Sequence, residues 1–164
     1  MHTQHAEYWI TNMKLLIVDD EERFLQSTKK LLDRKGFDVR TAPGGEECLE
    51  ILEKERIDVV VLDIKMPGIG GMESLKRIKR RHPTIEVIML TGHGTGEYAV
   101  DALIWGAADF LLKPISMPEL IAKVEEAVAR RHVLEEKIRL ARAIKAESDE
   151  SEPDKSVNNE NRKE

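Results

Sequence analysis

The chain lacks the residues that mark several functional classes. Its single cysteine, Cys48, rules out an internal disulfide and every zinc motif built on cysteine pairs. His2, His5, His82 and His132 show no metal-ligand spacing. No apolar run approaches the roughly 20 residues of a membrane span, and Met1 to Asn12 lacks the basic-then-apolar order of a signal peptide, which points to the cytoplasm. No glycine-rich phosphate loop with its lysine occurs, so the nucleotide-binding classes built on one are excluded. Basic residues number 26 against 31 acidic, for a net charge of −5. A nucleic-acid binder would need the opposite excess.

What is present is enough for one domain and a remainder. The 164 residues are 41% hydrophobic and 35% charged, whereas a domain usually takes about 100–150 residues. The surplus is visible at the C-terminus, where residues 147–164 carry seven acids, three bases and only Val157 as a sizeable apolar group. Such a stretch cannot bury enough surface to offset its ordering entropy, and it reads as a disordered acidic tail. Residues 1–13 form a leader arm that holds Tyr8, Trp9 and Ile10, or else the true start is Met13.

Five short apolar runs organise the rest: Leu15–Val18, Phe37–Val39, Val59–Leu62, Ile85–Leu90 and Phe110–Leu112. Helical periods lie between them. From Glu21 to Lys35 the residues Phe24, Leu25, Thr28, Leu31 and Leu32 share one face, with Gly36 where a helix C-cap belongs. Glu46 to Arg56 turns Cys48, Leu49, Ile51 and Leu52 inward, and Met72 to Arg81 does so with Met72, Leu75 and Ile78 before Pro83. Glu97 to Trp105 is a shorter helix. The last helix begins near Met117 or Pro118 and continues to about Ala146, with Leu120, Val124, Ala127 and Val128 able to pack on a sheet. The stripe beyond, with Arg131 and Lys145 interrupting it, reads as a solvated helical extension over 131–146 rather than a coiled coil. Strand–helix alternation of this kind predicts an α/β, doubly wound, five-stranded parallel sheet over residues 14–130, with functional groups at the carboxyl ends of the strands.

Those ends read Asp19-Asp20-Glu21, Asp63, Thr91-Gly92 and Lys113-Pro114. Three aspartate carboxylates (Asp19, Asp20 and Asp63), a hydroxyl and an ammonium therefore converge on one edge. Clustered carboxylates repel unless a cation compensates, and Mg²⁺ suits such an oxygen set because it keeps several waters and takes one or two carboxylates with phosphate oxygens. One carboxylate can then act as nucleophile toward a phosphoryl group. The metal and Lys113 would offset charge on the transferring oxygens, and Thr91 could donate a hydrogen bond to one of them.

The constellation resembles the receiver domain of two-component response regulators. The resemblance is carried by Val18-Asp19-Asp20-Glu21, Leu62-Asp63-Ile64-Lys65-Met66-Pro67-Gly68, Leu90-Thr91-Gly92-His93-Gly94 and Asp109-Phe110-Leu111-Leu112-Lys113-Pro114. It implies a flavodoxin-like strand order 2-1-3-4-5 with five helices. It makes Asp63 the phosphoacceptor, Asp20 the direct Mg²⁺ ligand, Asp19 the acid that holds the metal through water, and the Lys65 carbonyl the third protein ligand. Thr91 becomes the switch hydroxyl, Lys113 the phosphate-binding lysine before a usually cis proline, and Phe110 the aromatic that turns inward on activation. The implied function is a phosphorelay switch that takes its phosphoryl group from a histidine kinase or phosphotransfer protein. Activation would alter the surface of the fourth helix, fifth strand and fifth helix for a downstream protein partner. Direct nucleic-acid or membrane contact is not expected, and the only turnover is self-phosphorylation and self-dephosphorylation.

The chain departs from the pattern at a few places. Gly70 stands where the family commonly has an acid, which puts the rigidity of the turn after Pro67 in question. Lys65 and His93 occupy positions that tune access of the hydrolytic water, unless they are simply a solvated lysine and a loop histidine. Ile104 and Trp105 replace the charged or small residues usual there and form a candidate partner or homodimer surface, unless the tryptophan packs on its neighbour. Residues 131–164 are too few and too polar for an output domain. The competing function is a constitutive interaction or dimerisation module that uses the fold and its long last helix. A haloacid-dehalogenase-like phosphatase wants a second acid two residues past its aspartyl nucleophile, where Lys65 stands.

Overall fold

The apolar runs become five strands: β1 (Lys14–Val18), β2 (Asp38–Ala42), β3 (Val59–Asp63), β4 (Glu86–Thr91) and β5 (Asp109–Leu112). The computed structural model describes residues 12–92 and 96–150. All pairings are parallel, as the strand–helix alternation predicts, and the order is β2-β1-β3-β4-β5, as the resemblance implies. Register brings Leu15 opposite both Val39 and Val59, and Val61 opposite Ile88.

Period-two alternation sorts each central strand between two cores. Leu15, Ile17, Val59, Val61, Ile88 and Leu90 face one side, where they meet Leu25 and Leu32 of α1 (Glu22–Arg34) and Leu120, Val124 and Val128 of α5 (Met117–Glu150). Leu16, Val18, Val60, Leu62, Val87 and Met89 face the other. There they meet Cys48 and Leu52 of α2 (Gly45–Lys54), Leu75 and Ile78 of α3 (Gly70–Arg81) and Ala102 of α4 (Gly96–Ile104). Each fully buried Val, Leu or Ile contributes about 1.5–3 kcal/mol of transfer free energy, so β1 and β3, buried along nearly their whole length, anchor the sheet.

Helix ends follow local rules. α1 carries Glu22 in its first turn and Arg34 in its last, matching its dipole. It stops where Gly36 adopts φ +96°, with Gly36 N–H bonding Asp33 O and Phe37 N–H bonding Leu32 O. That paired pattern is a Schellman cap and needs the left-handed residue glycine supplies. β2 begins one residue later than the apolar run Phe37–Val39 and continues to Ala42. Its added residues include Arg40, which pairs with Asp38 at 2.8 Å and Glu55 at 3.2 Å on an edge strand that alternation in hydropathy underreports.

Two units divide the chain at His132/Val133, two residues beyond the predicted limit of 130. The reason is Arg131, whose Nε lies 3.4 Å from the buried Asp58 carboxylate and whose Nη1 donates to Thr84 O. A residue that reads as an interruption of an apolar stripe is thus tied to the amino-terminal edge of the sheet. In the second unit α5 continues to Glu150, past the predicted helical limit of Ala146, and Val133, Leu140 and Ile144 are exposed. Leader residues 1–11 and tail residues 151–164 lie outside the described residues.

Candidate functional site

The carboxyl ends of β1, β3, β4 and β5 lie side by side because the order 2-1-3-4-5 places β3 between β1 and β4. Asp19 follows β1, Asp63 ends β3, Thr91 ends β4 and Lys113 follows β5. Oxygens of Asp19, Asp20 and Asp63 all lie within 4.8 Å of one another. Asp19 and Asp63 are buried, whereas Asp20 is exposed.

Lys113 is the cation of this group. Its Nζ hydrogen-bonds Asp19 Oδ2 and stands 3.8 Å from Asp63 Oδ2. The ring of Phe24 on α1 lies beneath the ammonium, with Nζ 4.7 Å from its centroid, a geometry in which the ring quadrupole attracts the charge. The Lys113 backbone is fixed as well, since its N–H donates to Thr91 O at 2.7 Å, and the Lys113–Pro114 peptide is cis. On the other oxygen, Asp19 accepts from the Glu21 N–H at 2.9 Å.

Three carboxylates against one ammonium leave the cluster under-neutralised. Burial pushes the Asp63 carboxyl up to about 6, and the charges of Asp19 and Asp20 add to the rise while Lys113 opposes it. An all-oxygen donor set of this charge and spacing fits a hard divalent cation such as Mg²⁺. Among the described residues Thr91 Oγ1, which is buried, has no hydrogen-bond partner. A hydroxyl in that state costs about 1–3 kcal/mol of desolvation until an acceptor arrives.

The turn after Asp63 is tighter than the missing acid at Gly70 leads one to expect. Gly70 takes φ +70° and Gly68 φ +82°, conformations that suit glycine, and the Ser74 hydroxyl donates to Gly70 O at 2.6 Å. The Ile69 N–H donates to Glu46 Oε1 of α2 at 3.0 Å. Glu46 therefore supplies, from 23 residues away, the acceptor that the turn itself lacks. A Cβ on Gly71 would lie 2.1 Å from Asp63 O, so only glycine lets α3 press on the strand end that carries Asp63.

The remaining predicted residues are spread around this centre. Phe110 is half-buried against the core on the α2–α4 side. Lys65 is exposed two residues beyond Asp63, and His93 lies outside the described residues. Ile104 is 74% exposed. Trp105 is both exposed and packed: its ring centroid lies 4.8 Å from Lys76 Nζ and 5.8 Å from Arg80 Cζ of α3. Sequence reasoning missed Phe24, Glu46 and Gly71 as neighbours of the site. A recess of about 330 Å³ opens beside Lys113, lined by Glu21, Phe24, Gly92, Pro114, Ile115 and Met117.

Comparison with known proteins agrees with the geometry. A family model described as the response regulator receiver domain matches residues 15–125. The transcriptional regulatory protein CpxR of Klebsiella pneumoniae is 39% identical over 119 residues, which cover 73% of this chain and 50% of CpxR. The chain spans about half or less of the length of the curated relatives it matches. A receiver domain crystal structure from Clostridium thermocellum aligns with TM-score 0.70 at 40% identity, covering 74% of this chain and 98% of that one. Another, from Methanospirillum hungatei, aligns with TM-score 0.71 at 32% identity, covering 73% and 96%.

Proposed function

Because the chain belongs to the response regulator receiver domain family, we propose that Asp63 accepts a phosphoryl group from a histidine kinase or phosphotransfer protein and that the modified domain signals through a protein partner. The observation that carries this reading is the placement of Asp63 between two acids and Lys113 at the carboxyl edge of the sheet.

In the forward step an Asp63 carboxylate oxygen attacks the phosphorus of a phosphohistidine. The new O–P bond forms as the N–P bond breaks, and the imidazole leaves with the bonding pair. Asp63 must be ionised to attack; with its carboxyl raised to about 6 it is mostly carboxylate at neutral pH, and a bound cation would favour that form further. Asp19, Asp20, Asp63 and the Lys65 carbonyl would hold Mg²⁺, which when bound offsets negative charge on the phosphoryl oxygens. Lys113 serves the same charge from the other side, its Nζ exchanging part of its bond to Asp19 for a phosphoryl oxygen. The apolar recess beside Lys113 gives the donor imidazole a place to approach.

The signal follows from the unpartnered hydroxyl. A phosphoryl oxygen on Asp63 offers Thr91 Oγ1 the acceptor it lacks, which biases the ensemble toward a state with Thr91 drawn in and Phe110 turned into the space it leaves. Lys65, exposed two residues beyond Asp63, is assigned a part in admitting the hydrolytic water and so in the lifetime of the phosphoryl group, a role the sequence also suggests for His93. Among the described residues no helix is long and apolar enough to cross a membrane, and a cytoplasmic setting fits the reading.

The test is intact-protein mass after incubation with acetyl phosphate, with and without Mg²⁺. One added phosphoryl group is expected only with metal and only while Asp63 is present. Equal labelling of an Asp63→Asn chain, or none with any donor at saturating Mg²⁺, would overturn the assignment.

A further inference from the structure

Helix α3 carries five bases, Lys76, Arg77, Lys79, Arg80 and Arg81, and one acid, Glu73, in a chain whose net charge is −5. Lys79 turns inward, bonding Ile85 O, while its stem packs beside Gly106. The other four bases occupy the outer arc, and they stand as two like-charged pairs four residues apart, Lys76 with Arg80 and Arg77 with Arg81. Such pairs repel on a helix. The helix dipole favours cations in the last turn, but Lys76 and Arg77 lie a turn earlier.

Internal neutralisation is unequal between the two rows. Arg77 bonds Glu73 at 2.9 Å, and Arg81 bonds Glu53 of α2. Lys76 and Arg80 instead share the face of Trp105, and the carboxylate nearest them on their own helix is already engaged by Arg77. Trp105 as a residue is 40% exposed, and the exposed surface continues into Ile104 at 74% and Leu103 at 54%. Behind the crest a groove of about 370 Å³ is lined by Leu49, Arg77, Arg80 and Arg81.

We propose that the ledge formed by Lys76, Arg80 and Trp105, with Ile104 at its edge, docks a short acidic segment of a partner protein that carries an apolar anchor. Lys76 and Arg80, which among the described residues feel the charge of Glu73 but form no ion pair with a carboxylate, take the partner's acids, and Trp105 and Ile104 take the anchor. The flanking charges limit the length of the ligand. α2 bears Glu46, Glu47, Glu50 and Glu53, and α4 bears Glu97 and Asp101, so an extended polyanion such as a nucleic-acid strand meets repulsion on leaving the ledge. A segment confined to it does not. None of these residues belongs to the Asp63 cluster.

Trp105 is its own reporter once Trp9, the other tryptophan, is replaced in a Trp9→Phe chain. The probe is a short synthetic peptide of glutamates around a central phenylalanine, titrated alongside an all-glutamate peptide and a single-stranded oligothymidylate. We expect a saturable change in Trp105 emission with the first peptide. It should weaken about tenfold or more in the Lys76→Glu/Arg80→Glu chain, and weaken as salt rises. The milder Lys76→Gln/Arg80→Gln chain keeps the test valid if charge reversal lowers the thermal midpoint. Tighter binding of the oligothymidylate, equal binding of the all-glutamate peptide, equal binding by both variants, or no saturation below about 1 mM would each overturn the proposal.

Discussion

Buried acids stand at both ends of the sheet, and the two ends treat them oppositely. At the amino end Asp58, fully buried, is satisfied on both oxygens: Oδ2 accepts the Lys14 N–H at 2.9 Å, and Oδ1 accepts from Arg56 Nη2 at 3.0 Å and Arg131 Nε at 3.4 Å. At the carboxyl end Asp19, Asp20 and Asp63 cluster around one lysine, which reaches Asp19 and Asp63, so the group keeps an excess of negative charge even though both Asp19 oxygens are hydrogen-bonded, and among the described residues the Thr91 hydroxyl beside them has no partner. A satisfied buried charge holds a structure together, because removing one partner strands the others. An under-neutralised cluster leaves binding energy for a cation that has yet to arrive. The lesson is that burial alone does not mark a functional carboxylate; the deficit of compensating charge does.

The comparison breaks most visibly at Asp58. Asp58→Ala removes the acceptor of the Lys14 N–H and the carboxylate shared by Arg56 and Arg131, and losing one member of a buried ion pair costs about 3–5 kcal/mol. Urea unfolding should show a midpoint lowered accordingly. Phosphoryl uptake by the fraction still folded should be retained, since Asp58 lies at the far end of the strands. A change below about 1 kcal/mol would mean that water replaces the carboxylate and that the two ends differ less than their geometry indicates.

At the other end the sign reverses. The Asp63 carboxyl is held at about 6 against 3.8 for the free group, so over roughly pH 4 to 6 the native state binds more protons than the unfolded chain. Metal-free stability therefore falls as pH rises through that window and levels off above it. Asp63→Asn removes the penalty and should raise stability at pH 7 by about 2 to 3 kcal/mol, from a shift of about two units at 1.4 kcal/mol each. Urea midpoints in a chelator at several pH values measure this directly. Mg²⁺ should close the gap for the unsubstituted chain at pH 7. A gap that chelator and Mg²⁺ leave alike would show that no cation offsets these acids.

Legibility in the sequence follows the same divide. The acids and lysine of the carboxyl edge are readable because they stand at the ends of short apolar runs; strand–helix alternation implies the parallel sheet, and the strand order that joins them comes from the family resemblance. Asp58 stands before a run, where it looks like any polar strand flank, and Arg131 looks like a flaw in an apolar stripe. Their partnership spans 73 residues, which no local period reveals. Glu46 was hidden for the same reason: the turn it braces lies on another helix, so the glycine at position 70 looked like a loss of rigidity. Gly71 is legible only once α3 is known to touch the Asp63 carbonyl.

The smallest expected effect is the most specific to the comparison. Thr91 is fully buried and its hydroxyl has no acceptor, so Thr91→Val exchanges an unsatisfied polar atom for a methyl of similar size. In an ordinary core that substitution loses a hydrogen bond and destabilises. Here there is none to lose, and the unmodified protein should gain about 1 kcal/mol, read as a rise of about 2–4 °C in Tm. Phosphoryl uptake should persist while the response to it is lost, because the group that gains a partner on phosphorylation is gone. A Thr91→Ser chain separates the two contributions, since it keeps the hydroxyl and drops the methyl. It should lose stability through the cavity and retain the response. If Thr91→Val instead destabilises by a comparable amount, the hydroxyl already has a partner in the unmodified state, and the carboxyl edge is less unsatisfied than its side chains indicate.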